Sequence, residues 1–293
     1  MDNFIVLYNP LAGNGTAQDK MRELESLMQG DRLYFSNMLD IRDYGAFFND
    51  MPDGASIIIC GGDGTLNRFL NDTEDIRPDC DIYYYPSGSG NDFARDIGAE
   101  RGAPPVLINR YIERLPKICV NGKEHRFING IGYGIDGYCC EKGDELRGKG
   151  NGEVNYTAIA IKGLLFHYKP RGATITVDGV EHRFEKVWLA PTMIGRYYGG
   201  GMMPTPEQDR LNGDGAVSVM VYYGSGKLKS LAVFPSIFKG EHIKHSEMVA
   251  VLSGRNITVC FDEPRPLQID GETVSGVREY SVTACEEKVL QPA

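Results

Sequence analysis

The segment IIICGGDGTLNRF, residues 57–69, sets one carboxylate, Asp63, among the glycines Gly61, Gly62 and Gly64, between an apolar run and a helical pattern. Glycine lets backbone N–H groups approach an anion and tolerates positive φ, and the start of a helix adds partial positive charge. Such a turn is suited to phosphate oxygens. A carboxylate beside bound phosphate is repelled unless a divalent cation lies between them or it takes a proton. Asp63 therefore points to a metal-bound polyphosphate. The bland alternative is an aspartate that satisfies its own turn.

Two further turns of this kind, NPLAGNGTA (residues 9–17) and PSGSGNDFAR (residues 86–95), flank it in the chain. Each of the three follows a short run rich in Ile, Val and Tyr (Phe4 to Tyr8, Ile57 to Cys60, Ile82 to Tyr85), apolar on both faces as a buried parallel strand should be. Between them Met21, Leu24, Leu27 and Met28, and again Leu66, Phe69 and Leu70, recur at helical spacing. This is a doubly wound parallel α/β pattern, in which every strand ends at the same edge. One such turn is ordinary strand-to-helix punctuation; three can converge on one crevice.

Other chemistries lack their residues. There is no GxxxxGK[ST], GxSxG, HExxH or zinc-spaced Cys/His set, and His125, His167, His182, His242 and His245 are scattered. GIGYGIDG at Gly130 to Gly137 resembles a dinucleotide fingerprint, but its sequence opens no convincing helix within a βαβ unit.

From about residue 116 the texture changes to hairpins. ICVNGKEHRF and ATITVDGVEHRF place Asn-Gly and Asp-Gly between strand-like arms, the signal for type I′ turns. KVWLAPTMI, GAVSVMVYY, NITVCF and EYSVTAC add strands, and helical patterns recur near Tyr156 to Leu165 and Lys229 to Phe238. We therefore expect an α/β nucleotide-binding domain over 1–115 and a mostly antiparallel β domain over 116–279, with the segment from about 280 to 293 a candidate to return to the first.

The chain has 293 residues, 42% hydrophobic and 24% charged, with a formal net charge of -9, the balance of a globular protein with no long-range attraction for nucleic acid or for an anionic membrane surface, although a local basic patch can still sit on an acidic chain. The acidic start MDNFIVLYNP and the lack of an apolar stretch of roughly 18 residues argue for a cytoplasmic chain without a transmembrane segment. Seven cysteines without a CxxC spacing fit reduced thiols, the vicinal pair Cys139 and Cys140 included.

In this order and spacing, NPLAG, GGDGT and GSGNDFAR resemble the diacylglycerol kinase catalytic family, especially its small bacterial lipid kinases. The likeness continues over nearly the whole chain through FINGIGYGID, GGGMMPTPEQDRLNGDG, FKGEHIKH and IDGE. NAD kinases and relatives of phosphofructokinase share loops like GGDGT; GSGNDFAR and the distal DGE favour the lipid kinases. The resemblance implies ATP in a cleft between the two domains. By matching motif, Asn9, Gly61, Gly62, Gly64, Thr65, Asn67 and Ser89 would contact ATP, with Ser89 standing where the family often has threonine. Asp63 would hold the catalytic Mg²⁺ through water, and Glu272, with Asp270 beside it, would take the proton from the acceptor hydroxyl. A structural Mg²⁺ is implied at LNGDGAV, on the Asp214 carboxylate and the main-chain carbonyls of Leu211 and Ala216, although Asn212 and Gly213 depart from the usual form. Relatives often carry an aspartate about five residues before the Asn-Gly turn; here Pro116 stands there, with Glu113 nearest.

The implied acceptor is a lipid alcohol such as diacylglycerol, met at a membrane surface by transient peripheral association; a homodimer stays open. Leu228, Leu231, Phe234, Ile237 and Phe238, interrupted by Pro235, would line an acyl groove or else pack the core, and Tyr197 and Tyr198 are ambiguous in the same way. Two alternatives stand beside the lipid kinase. One is a soluble NAD kinase-like enzyme, against which GSGNDFAR and DGE argue. The other is a nucleotide-binding regulator without catalysis, which Asp63 and Glu272 do not support.

Overall fold

The structure is a computed structural model describing residues 2–10, 17–74, 76, 78–88, 90–148 and 156–285. The chain divides into two compact units, Met1–Glu113 and Arg114–Ala293.

In the first unit, β1 (Asn3–Tyr8), β2 (Arg32–Asn37), β3 (Ser56–Gly61), β4 (Ile82–Pro86) and β5 (Val106–Leu107) form one sheet in the order β2-β1-β3-β4-β5. The first four are parallel, and the two-residue β5 runs antiparallel at the edge. The sequence pattern did not show β2, because RLYFSN lies half-exposed at the other edge and needs no continuous apolar run. Helices α1 (Ala17–Leu27), α2 (Tyr44–Asn49), α3 (Asp63–Asp72), α4 (Asp92–Ile97) and α5 (Asn109–Ile112) complete the unit. Leu24 of α1 joins Val6, Ile58 and Tyr85 in one buried cluster. Phe93 of α4 stacks edge-on against Tyr84, whose position one residue along the strand puts it on the other face. Full burial of Ile57, Ile58 and Ile59 stabilises the sheet by roughly 1.5–3 kcal/mol each. The strand order reverses between β1 and β3, and their carboxyl ends border the crevice where such sheets bind ligands.

The second unit contains β6 (Lys117–Val120), β7 (Lys123–Arg126), β8 (Gly130–Tyr133), β9 (Arg171–Val177), β10 (Val180–Val187), β11 (Thr192–Met193), β12 (Val217–Tyr222), β13 (Val249–Gly254), β14 (Asn256–Ile269) and β15 (Glu272–Thr283). Their pairings are antiparallel, along the path β13-β12-β11-β8-β14-β15-β6-β7, with β9 on β14 and β10 on β9. The Asn121-Gly122 and Asp178-Gly179 hairpins form as the sequence predicts, with both central residues at positive φ. A third, Asp270-Gly271, joins β14 to β15 inside the IDGE motif. Residues 280–283, considered for return to the first unit, pair instead with Lys117–Val120; residues 286–293 lie outside the described residues.

Helices α6 (Ile135–Gly148), α7 (Tyr156–Lys162) and α8 (Lys227–Val233) accompany this sheet. A π-helical turn, Gly163–His167, extends α7, and Pro235 turns the end of α8 into a 3-10 segment, Phe234–Lys239. GIGYGIDG, expected to open no convincing helix within a βαβ unit, does open a helix: α6 follows β8 and runs for 14 residues. Its glycines and paired cysteines hide the helical pattern. One of those glycines is required by contact, since a Cβ on Gly137 would lie 2.0 Å from the carbonyl oxygen of Pro266 on β14. It is still no βαβ unit, because β8 is antiparallel to both neighbours. Among the described residues no helix is long and apolar enough to cross a membrane.

Gly137→Ala is expected to lower the free energy of unfolding by roughly 1–3 kcal/mol, as an overpacked helix-sheet contact does. Urea unfolding of the variant beside the wild type measures it.

Candidate active site

Gly62 caps α3 in extended conformation, and Asp63 is the first residue of that helix. Its carboxylate reaches across to α4: Asp92 N donates to Oδ2 and Phe93 N to Oδ1, each at 2.9 Å. These amides are orphan donors of the first turn of α4, so Asp63 ties the second glycine turn to the third. The bland reading of Asp63, an aspartate serving its own turn, is therefore replaced by a contact between turns.

The turns also touch through backbone. A Cβ on Gly88 would lie 2.5 Å from the Gly62 Cα, and a Cβ on Gly61 would lie 2.4 Å from the Thr65 Cβ. These three glycines are needed for packing alone. Gly64 is different: it is exposed, its φ is ordinary, and a Cβ there would meet nothing within 4 Å. Among the described residues nothing requires glycine at that position.

Asn91, which the sequence reading passed over, stands in the left-handed region at φ 50 and donates from Nδ2 to the Gly88 carbonyl at 2.8 Å. Its Oδ1 is buried without a hydrogen-bond partner and would lie 3.0 Å from a Cβ on Gly88. A buried acceptor on the residue that precedes the Asp92 amide held by Asp63 suits a hydrated Mg²⁺, whose waters are donors. Of the other residues assigned to ATP, Thr65 is buried, Asn9 is half-buried, and Asn67 Oδ1 accepts from Asn71 Nδ2 at 2.7 Å on α3. Ser89 and residues 11–16 of the first glycine turn lie outside the described residues.

The second unit holds an apolar cavity of about 240 Å³ between α6, α7, α8 and the 3-10 segment, with Ile135, Leu189, Met202, Leu231, Phe234 and Phe238 in its wall. Of the residues expected to form an acyl groove, Leu231, Phe234 and Phe238 line it; Ile237 is buried in the core, and Leu228 is 80% exposed. Tyr198 is buried too. Asp136, missed in the sequence because GIGYGIDG looked like a loop, also faces this cavity. Gln268 Nε2 donates to its Oδ2 at 2.8 Å. Burial pushes the Asp136 carboxyl up to about 6, with Gln268 and the neighbouring Tyr198 hydroxyl holding back the rise.

The matched family models are the diacylglycerol kinase catalytic domain, over residues 3–117, and the YegS C-terminal NAD kinase beta sandwich-like domain, over residues 129–286. Together they cover both units. The chain belongs to the diacylglycerol kinase family. Among its relatives, a diacylglycerol kinase of Mycobacterium tuberculosis (strain ATCC 25618 / H37Rv) is 26% identical over 200 residues, 66% of this chain and 63% of that protein. A diacylglycerol kinase of Bacillus subtilis (strain 168) is 28% identical over 224 residues, 74% of this chain and 70% of that protein. The chain thus spans less than two thirds of the length of the mycobacterial relative. The fold matches the crystal structure of a diacylglycerol kinase from Bacillus anthracis str. Sterne with a TM-score of 0.62 at 21% identity, over 97% of this chain and 94% of that one.

Hydrogen bonds within the protein engage some of the residues assigned through the family. Asp270, expected beside the base, sits at φ 46 in the third hairpin turn, and its carboxylate accepts from the backbone amides of Ile128, Asn129 and Gly130 at 2.6, 2.9 and 3.0 Å. It is a positioning residue that fixes the turn carrying Glu272. Glu272 itself is exposed at the start of β15.

The structural Mg²⁺ site does not fit. The Ala216 carbonyl already accepts from Gln208 Nε2 and Asn212 Nδ2, both at 2.8 Å, which takes both lone pairs. Asp214 Oδ1 caps the Ala216 amide at 3.1 Å, its main-chain oxygen accepts from Arg255 Nη1, and Leu211 is exposed. Leu211, Asp214 and Ala216 thus form a loop closed by amides and a guanidinium. All seven cysteines are free thiols, and burial pushes Cys139 up to about 12 and Cys140 further, so the vicinal pair is inert.

Two outcomes follow from this geometry. Gly88→Ala is expected to separate the two turns and destabilise the first unit by roughly 1–3 kcal/mol, read by urea unfolding. For Asp136, the folded pKa lies above the ordinary carboxyl value of 3.8, so the folded state keeps a proton that the unfolded chain releases between about pH 4 and 6. Stability therefore falls as pH rises through that window. Asp136→Asn should abolish this fall and leave the variant up to ~3 kcal/mol more stable than wild type at pH 7, with no gain at pH 4.

Proposed function

We propose that this chain is an ATP- and Mg²⁺-dependent lipid kinase that transfers the γ-phosphoryl group to the hydroxyl of diacylglycerol or a related lipid alcohol, giving a phosphatidate-like product. The observation that carries the reading is the state of Gly64. Its neighbours Gly61, Gly62 and Gly88 are glycine because the protein crowds them, whereas Gly64 is bare at the start of a ten-residue helix, beside the Asp63 carboxylate. A ligand that needs close backbone approach explains it.

Phosphoryl transfer asks the protein for in-line positioning and neutralised charge rather than covalent chemistry. In this reading the amides of Gly62, Asp63 and Gly64 hold phosphate oxygens, while Asp63 and Asn91 Oδ1 hold the hydration shell of Mg²⁺. The ion, when bound, supplies charge neutralisation at the transferring phosphoryl group. Glu272, projecting from a turn that Asp270 fixes, takes the proton of the acceptor hydroxyl; a general base typically contributes about a hundred- to ten-thousand-fold. The apolar cavity supports a lipid acceptor over NAD, since a dinucleotide would need polar partners that its wall does not offer. The work is done from the aqueous side of a membrane surface, by transient contact.

Gly64→Ala separates this reading from a structural one. Alanine has the space and the helix propensity, so the variant should be as stable as wild type or up to ~1 kcal/mol more stable, yet lose at least tenfold in affinity for Mg·ATP. Asp63→Ala and Glu272→Ala should each lose most turnover, measured with labelled ATP and detergent-dispersed diacylglycerol, phosphatidylglycerol, sphingosine or soluble NAD as acceptors. Label in NAD alone would put the acceptor in the soluble class.

A further inference from the structure

The formal net charge of the chain is -9, with 40 Asp and Glu among 293 residues. Against that background, residues 156–169 and 227–239 contain five lysines, one histidine and no carboxylate. In the fold these are α7 with its π-helical turn, and α8 with its 3-10 segment. The π-helical turn packs against α8. Lys162, Lys169, Lys227, Lys229 and Lys239 are all exposed; Lys229 is paired with Glu247 at 2.8 Å, just outside these segments.

The same elements carry the two most exposed large apolar side chains of the described residues, Leu228 at 80% and Phe166 at 72%. Phe238 at 46% adds a third, and it also lines the apolar cavity. Single exposed apolar residues are ordinary on a protein surface. Here they coincide with an apolar cavity and with a local reversal of charge sign. Apolar side chains framed by lysines match an interface of acyl chains below anionic headgroups.

We propose that the face carrying Phe166, Leu228 and Phe238 docks on an anionic phospholipid bilayer, so that the cavity behind it opens toward the acyl layer. The inference deepens the lipid-kinase reading and takes the occupant of the cavity from it. Docking itself requires neither nucleotide nor turnover. The lysines draw the face to the surface over the Debye length, and Phe166 and Leu228 enter the headgroup boundary.

Vesicle co-sedimentation without ATP tests it, using phosphatidylcholine vesicles with and without phosphatidylglycerol. Wild type should bind the anionic vesicles and bind neutral ones at least tenfold more weakly, and added salt should weaken the binding. The double variant Phe166→Asp/Leu228→Asp should bind anionic vesicles at least tenfold more weakly with unchanged Tm. Lys227→Ala should bind about fivefold more weakly. Val180→Asp, at a position 60% exposed at the start of β10, should bind as wild type does. Wild type staying in the supernatant, or Val180→Asp losing as much as the double variant, would overturn the docking. Mg·ATP affinity measured on the same preparations reports on the kinase reading separately, so either can fail alone.

Discussion

The first unit depends on one carboxylate held by the start of another helix. Asp63 opens α3 and accepts from the first two amides of α4, while Gly62 and Gly88 meet backbone to backbone beneath it. Two strand-to-helix turns that are 29 residues apart in sequence thereby become one surface. The glycines allow the approach, and the negative charge at two helix N-termini stabilises it. A larger residue at position 62 or 88 would separate the turns, and loss of the charge would leave two amides without their acceptor. The chemistry proposed for this edge needs that same closeness, because phosphate must be reached by backbone rather than by side chains.

The sequence showed what local pattern and motif can show. Buried parallel strands appear as continuous apolar runs, and Asx-Gly pairs appear as hairpins, so β1, β3, β4 and two hairpins were legible. The strand β2 was not, because an edge strand with one solvated face has no such run. Helix α6 was hidden for a different reason: glycine is required at position 137 by the approach of Pro266, and a helix rich in glycine looks like a loop. Motifs named residues more reliably than they named roles. Asp63 was expected as a charge beside phosphate, but its bond to α4 could not be seen from either segment alone. Asp270 was assigned to chemistry, whereas three backbone amides hold it as the clamp of a turn. The Leu211–Ala216 loop has the residues of a cation site and the hydrogen bonds of a closed loop. Long-range partners decided each of these cases.

In the second unit an acidic sequence carries a local reversal of charge beside exposed apolar side chains. Acidic residues are absent from two segments that are far apart in the chain and packed together in the fold. The interruption of α8 by Pro235 leaves Phe238 exposed and Ile237 buried one residue earlier. Core packing and the lining of an apolar cavity are both found among neighbouring residues of one short helix. Asp136 adds a carboxyl to an otherwise apolar wall at a cost in stability near neutral pH, the kind of local compromise found where a site has work to do.

The central claim is that residues 62–65 and 88–93 form a single nucleotide-binding edge organised by Asp63. Amide hydrogen exchange with and without Mg·ATP tests it most directly. The account predicts slowed exchange at Gly62 to Thr65 and at Asp92 and Phe93, with little change in β2 and β5 at the far edges of the sheet. Unchanged exchange in both turns at saturating Mg·ATP, or protection confined to other surfaces, would contradict it.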